Sequence, residues 1–117
     1  MHRYKELKVW QEAVELAVDI YQITKKFPPD ELYGLTSQLR RAGVSVSSNI
    51  AEGAGRGTHG DFKHFLDISN GSACEIETQL MIANKLKYIN DTDYNELLIR
   101  IELIRNMIFK LQHSLKS

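Results

Sequence analysis

Residues 38–57, QLRRAGVSVSSNIAEGAGRG, restrict the fold more than any other part of the chain. Leu35, Leu39, Ala42, Val46 and Ile50 recur at steps of four, three, four and four. They therefore share one face of a helix, whereas the alternation of a strand would scatter them over both faces. Most other positions are small: Gly43, Ser45, Ser47, Ser48 and Ala51 let neighbouring backbones come close on more than one side. A helix of this kind belongs in the middle of a helical assembly. Its end is electrostatically unusual, because Glu52 puts a carboxylate at the negative end of the helix dipole. That placement is unfavourable by about 0.3–1 kcal/mol at an exposed site and calls for a cation. Arg40, Arg41 and Arg56 are the candidates, and Gly53 is placed to be a left-handed C-terminal cap. Gly43, Asn49, Glu52 and Gly53 are read as structural or interface positions.

The rest of the chain supplies three more helices. Over residues 8–26 a stripe of Val9, Ala13, Leu16, Ile20, Ile23 and Phe27 lies beside a second one of Trp10, Val14, Ala17 and Tyr21. Together they cover about half the circumference, more than the roughly 100° of an ordinary surface helix, so this helix needs two neighbours. Phe27-Pro28-Pro29 ends it, since proline disfavours helical geometry before it and donates no N–H. Asp30 and Glu31 suit the start of the second helix, expected over residues 35–52. Thr58-His59-Gly60-Asp61 reads as a capping box opening a third over residues 59–86. That helix carries Phe62, Leu66, Ala73, Ile76 and Leu80 on its stripe and small residues at its centre. The fourth, over residues 93–115, carries Leu97, Ile101, Ile104 and Ile108 in near-heptad order, with Leu103, Met107 and Phe109 outside the seam. Four helices on short connections predict one all-α domain over residues 1–117, an up-down-up-down four-helix bundle.

At 117 residues, 43% hydrophobic and 26% charged, the chain is one domain of ordinary globular composition. It has no run of about 18 apolar residues and no apolar leader, so the expectation is a cytoplasmic protein without a membrane span. Its single cysteine, Cys74, excludes an internal disulfide and fits a reducing compartment. No metal or cofactor is expected. The histidines lack the repeated Glu-x-x-His of di-iron bundles. Gly55, Gly57 and Gly60 match G-x-G-x-x-G, but a helix precedes them where a strand is required, and Asp61 occupies the place of a phosphate. Ribonuclease-like helical bundles of the HEPN type pair an arginine with a nearby histidine. Here Arg56 lies three residues before His59 and eight before His64, and neither spacing fits. The expectation is a protein that is not an enzyme.

QLRRA, the serine-rich middle, NIAEG and the glycine-arginine run together resemble the signature of the 23S rRNA-intervening-sequence proteins, small bacterial four-helix bundles. LKVWQEAVELAVDIYQITKKFP before it and DFKHFLDISNGSACEIETQL after it extend the resemblance to most of the chain. Relatives include the accessory variability proteins of diversity-generating retroelements. The resemblance implies a ring-like homo-oligomer, a pentamer, acting as an accessory or scaffold protein that associates with nucleic acid and with a partner enzyme such as a reverse transcriptase. Arg40, Arg41, Arg56 and Lys63 are the candidate contacts to RNA, DNA or an acidic protein, in a stretch where Glu52 is the one carboxylate between Leu32 and Gly60. The same side chains can equally form a structural salt-bridge set. Lys plus Arg and Asp plus Glu both number 15, a zero net charge that lends nucleic-acid binding no support and favours a purely structural oligomer as the alternative.

Overall fold

A computed structural model describes residues 2–115, among which there are four α-helices and no strand. Helix α1 spans Lys8–Thr24, α2 Leu35–Ala54, α3 His59–Lys85 and α4 Asp91–Ser114, with 3-10 turns at Tyr4–Glu6 and Pro29–Glu31. Short connections make successive helices antiparallel. Helix α2 packs against α1 and α3, and α4 closes the bundle against α3 and α1, while the diagonal pairs keep their backbones apart across a shared core. The body measures 45 × 24 × 20 Å, its long axis following α3, whose 27 residues rise about 40 Å at 1.5 Å each. No helix among the described residues is long and apolar enough to cross a membrane.

Local chemistry sets each boundary. Helix α1 stops at Thr24, whose hydroxyl donates back to the Ile20 carbonyl at 2.7 Å, two residues short of the expected end at Lys26. Asp30 and Glu31 lie upstream of α2, not inside it, yet Glu31 Oε1 accepts the Leu35 N–H at 3.2 Å and so still caps that helix. Thr58 Oγ1 accepts the Asp61 N–H at 3.1 Å, as the capping reading expects. Helix α4 starts at Asp91, two residues early, because Asn90 is its cap and accepts the Asp93 N–H at 2.7 Å. Helix α3 ends in a Schellman motif: Tyr88 N–H donates to Ala83 O at 2.9 Å and Lys87 N–H to Asn84 O at 3.0 Å. Lys87 takes the left-handed position at φ 63°, where glycine is the usual residue.

Gly53 is not a left-handed cap. Helix α2 runs through it to Ala54, and no described glycine has positive φ. Its glycine is required by packing instead: a Cβ there would sit 2.8 Å from Phe65 Cβ, 3.0 Å from Phe62 Cδ1 and 3.2 Å from the Phe62 carbonyl oxygen. At Gly43, on the α1 side, a Cβ would meet Ile20 Cδ1 at 3.2 Å and Ala17 Cα at 3.6 Å. The small residues thus bring α2 close to two neighbours at once. Leu16, Ile20, Leu39, Val46, Ile50, Phe62, Leu66, Ile76, Leu80, Ile101, Ile104 and Ile108 fill the core, each worth about 1.5–3 kcal/mol on burial. Ser69, fully buried, donates to the Val46 carbonyl at 2.7 Å and ties the centre of α3 to α2.

Candidate functional site

The two adjacent arginines diverge, as residues 100° apart on a helix must. Arg40 is half-buried between α2 and α1, donating from Nε to Thr24 Oγ1 at 2.9 Å while its guanidinium lies 4.9 Å from the Tyr21 ring centroid. That geometry combines a hydrogen bond with a cation–π contact and makes Arg40 a brace between helices. Arg41 is exposed on the α3 side and has no hydrogen bond or ion pair with any described residue. The cation that compensates Glu52 is Arg56, whose Nε lies 3.2 Å from Glu52 Oε2 and whose guanidinium stacks 4.8 Å from the Phe65 centroid. Both partners are exposed, so the pair contributes only about 0.3–0.5 kcal/mol. Lys63 is half-buried near the start of α3, its carbonyl accepting from Gln112 Nε2 at 3.3 Å.

The four cations do not form one patch. Arg41 and Glu52, eleven residues apart on α2, are separated by roughly 16 Å along the helix axis. Arg56 and Lys63 lie at one end of the bundle, Arg40 and Arg41 well toward the other. Asn49 donates to the carbonyl and the hydroxyl of Ser45, each at 2.9 Å, and Ser45 Oγ lies 2.8 Å from Ser72 Oγ on α3. Asn49 therefore braces the α2–α3 seam. Cys74 is a half-buried thiol, and among the described residues no group of three or more His, Cys, Asp or Glu could hold a metal.

Two surface features stand out. The first is apolar. Arg40 touches α1, so positions 44, 47 and 51, on the same face of α2, border α1 as well. Val44 there is 42% exposed, next to an α1 face bearing Val18 at 48%, Tyr21 at 42% and the half-buried Trp10 and Val14. The second is a polar cleft of about 480 Å³ between α2 and α3, lined among others by Tyr33, Gln38, Arg41, Glu75 and Gln79. The α1 part of the apolar face is the second stripe read from the sequence, whereas the polar cleft has no signature within one segment. The same is true of the ties that hold α4: Arg100 pairs with Asp19 on α1, and Arg105 donates to Glu77 Oε1 at 2.6 Å and Asn70 Oδ1 at 3.1 Å on α3. The Glu77 carboxylate holds the Arg105 pKa above its ordinary value. Likewise the Tyr88 hydroxyl, donating to Glu31 Oε2 at 3.0 Å, has its pKa raised chiefly by that hydrogen bond.

Fold and surface together define the chain as an antiparallel helical bundle with exposed apolar side chains on α1 and α2 and a polar cleft between α2 and α3. Residues 5–110 match the family model of the 23S rRNA-intervening sequence protein, and the chain belongs to that family. A crystal structure at 1.70 Å of a protein of unknown function from the S23 ribosomal protein family of Bacteroides thetaiotaomicron superposes with a TM-score of 0.80. The two are 23% identical over 89% of this chain and 97% of that one, a likeness of fold. Among curated proteins no sequence matches the chain significantly.

Proposed function

We propose that this protein is a non-enzymatic scaffold that assembles with copies of itself through the outer face of α1 and α2. The carrying observation is that face: Val18 and Tyr21 on α1 and Val44 on α2 expose apolar surface, continued along α1 by the half-buried Val14 and Trp10, with Arg40 already engaged beneath Tyr21. Contiguous exposed apolar surface of this kind on a small domain marks an interaction site. A second copy suits it because the face is edged by small side chains, Ser47, Ser48 and Ala51, that allow a helix to approach closely. Heterologous contacts repeated by rotation close into a ring, and the sequence resemblance supplies five copies as its size.

The test uses Trp10, the chain's single tryptophan, which sits on that face. Its quenching by acrylamide should be weak at high protein concentration and should rise in Val44→Asp, which puts a carboxylate into the joint while leaving a 42%-exposed position that the fold itself tolerates. Equal quenching of wild type and variant at every concentration would refute the proposed interface.

A second reading, that the scaffold also contacts single-stranded nucleic acid, rests on Arg41, a cation unengaged by any described residue beside hydrogen-bonding side chains. In this reading the scaffold presents nucleic acid to a partner enzyme.

A further inference from the structure

The polar cleft between α2 and α3 contains an orphan. Gln79 is 9% exposed, its Oε1 is buried, and that oxygen has no hydrogen-bond partner. It is the one such atom among the described residues. Leaving a buried acceptor unmet costs about 1–3 kcal/mol, and the side chain that carries it lines an open cleft. The 480 Å³ hollow above it continues into a second of about 330 Å³ toward Ile82, and Gln38, Glu75 and Gln79 line both. Volumes of this size lie within the roughly 300–1,000 Å³ of small-ligand sites.

The cleft walls differ chemically along its length. Arg41 and Glu75 carry opposite charges, line the same hollow, and pair neither with each other nor with any described group. Tyr33 is 94% exposed at the rim, a ring with both faces open. The Ser45–Ser72 hydroxyl pair forms part of the wall. The inventory is thus the Arg41 cation, the open Tyr33 ring, the Glu75 carboxylate and two primary amides, Gln38 and Gln79, the second with an oxygen that has no donor. As placed, Oε1 is closed off from the cleft; a half-turn about the last torsion exchanges it with the amide nitrogen and lets Gln79 offer its oxygen to a ligand in the cleft, with the nitrogen taking the buried position.

We propose that this cleft binds one nucleotide unit whose base bears an exocyclic amine. Arg41 takes the phosphate, Tyr33 stacks on the base, and Gln79 with Glu75 accepts hydrogen bonds from the amine. Each assignment follows from ordinary recognition chemistry. Arginine pairs with phosphate, unstacked bases lie on exposed aromatic rings, and a glutamine amide matches the amine and ring nitrogen of adenine. Uracil has no exocyclic amine and leaves one acceptor unmet. The inference rests on the nucleic-acid reading above for its strand-bound form, and the cleft would serve a free nucleotide by the same contacts.

The experiment is fluorescence anisotropy with labelled oligoadenylate and oligouridylate at low salt, together with calorimetric titration of AMP, on wild type, Tyr33→Ala, Arg41→Gln and Gln79→Leu. Oligoadenylate should bind about tenfold more tightly than oligouridylate, the size of one good base-edge contact. Tyr33→Ala, at a fully exposed position that cannot disturb the fold, should weaken adenylate binding by about tenfold. Arg41→Gln should weaken both strands and flatten their salt dependence, and Gln79→Leu should erase the preference for adenine. Binding of AMP as tight as that of the strand identifies a free nucleotide as the ligand, and binding of the strand alone identifies nucleic acid. Strand binding that ignores Tyr33→Ala and Gln79→Leu would overturn the cleft while sparing the nucleic-acid reading. Absence of strand binding alongside AMP binding sensitive to these variants would do the reverse, and absence of both overturns the two together.

Discussion

Adding one methyl group to three different glycines should move stability in three different directions. At Gly53 the new Cβ would lie 2.8 Å from Phe65 Cβ and 3.2 Å from the Phe62 carbonyl oxygen, both fixed to the α3 backbone, so neither neighbour can rotate away. Overpacking of this sort costs about 1–3 kcal/mol, and the upper half of that range applies where the neighbours are rigid. Alanine's better helix propensity returns about 1 kcal/mol, leaving a net loss of about 1–2 kcal/mol. For 117 residues the entropy of unfolding converts 1 kcal/mol into about 4 °C, so Gly53→Ala should lower Tm by about 4–8 °C. Gly71 lies within α3, exposed, and a Cβ there meets nothing within 4 Å. The same substitution should therefore raise Tm by about 2–4 °C, on propensity alone. Gly43 falls between, since its nearest contact at 3.2 Å is the terminal Cδ1 of Ile20, an atom that can turn aside, and Gly43→Ala should be close to neutral. Thermal unfolding followed by circular dichroism at one fixed protein concentration reads all three, because self-association makes Tm concentration-dependent. A Gly53→Ala protein as stable as wild type would refute the close α2–α3 approach on which the fold account depends.

Two further substitutions address local chemistry. Lys87→Gly should stabilise the fold by about 0.5–1 kcal/mol, because a left-handed backbone strains a side chain and not glycine, and denaturant titration at constant slope would show it. Tyr88 has its pKa raised in the folded state by donation to Glu31, so its contribution is fully present below the ordinary tyrosine pKa of about 10 and is lost as pH rises through the higher folded value. Stability measured from neutral to strongly alkaline pH should fall in that window for wild type and fall less in Tyr88→Phe, and identical profiles would show that the Glu31 contact carries no linkage.

Legibility followed the range of the interactions. Stripes such as Val9–Ala13–Leu16–Ile20 and Leu97–Ile101–Ile104–Ile108 reveal their helices because the period is written in adjacent turns, and the buried residues of α1 and α4 are largely these. Caps made within four residues, Thr58 to Asp61, were equally readable. Gly53 was misread because a glycine at a helix end fits both a left-handed cap and a close crossing, and only the position of Phe62 and Phe65 on α3 separates the two. Among the cations, sequence adjacency put Arg40, Arg41, Arg56 and Lys63 in one group, whereas helix length spreads them and Thr24, Tyr21, Glu52 and Phe65 occupy two of them. The cleft that joins Tyr33 to Gln79 draws on residues 46 positions apart and has no local sign at all.

Whether the α1–α2 face joins copies of this chain is decided by the mass of the wild-type protein in solution. Light scattering coupled to gel filtration at micromolar concentration should give an integral multiple of the 13.4 kDa chain, five copies on the present account, and Val44→Asp should reduce it. A wild-type mass of 13.4 kDa would contradict the account, leaving the apolar face of Trp10, Val14, Val18, Tyr21 and Val44 to some other partner.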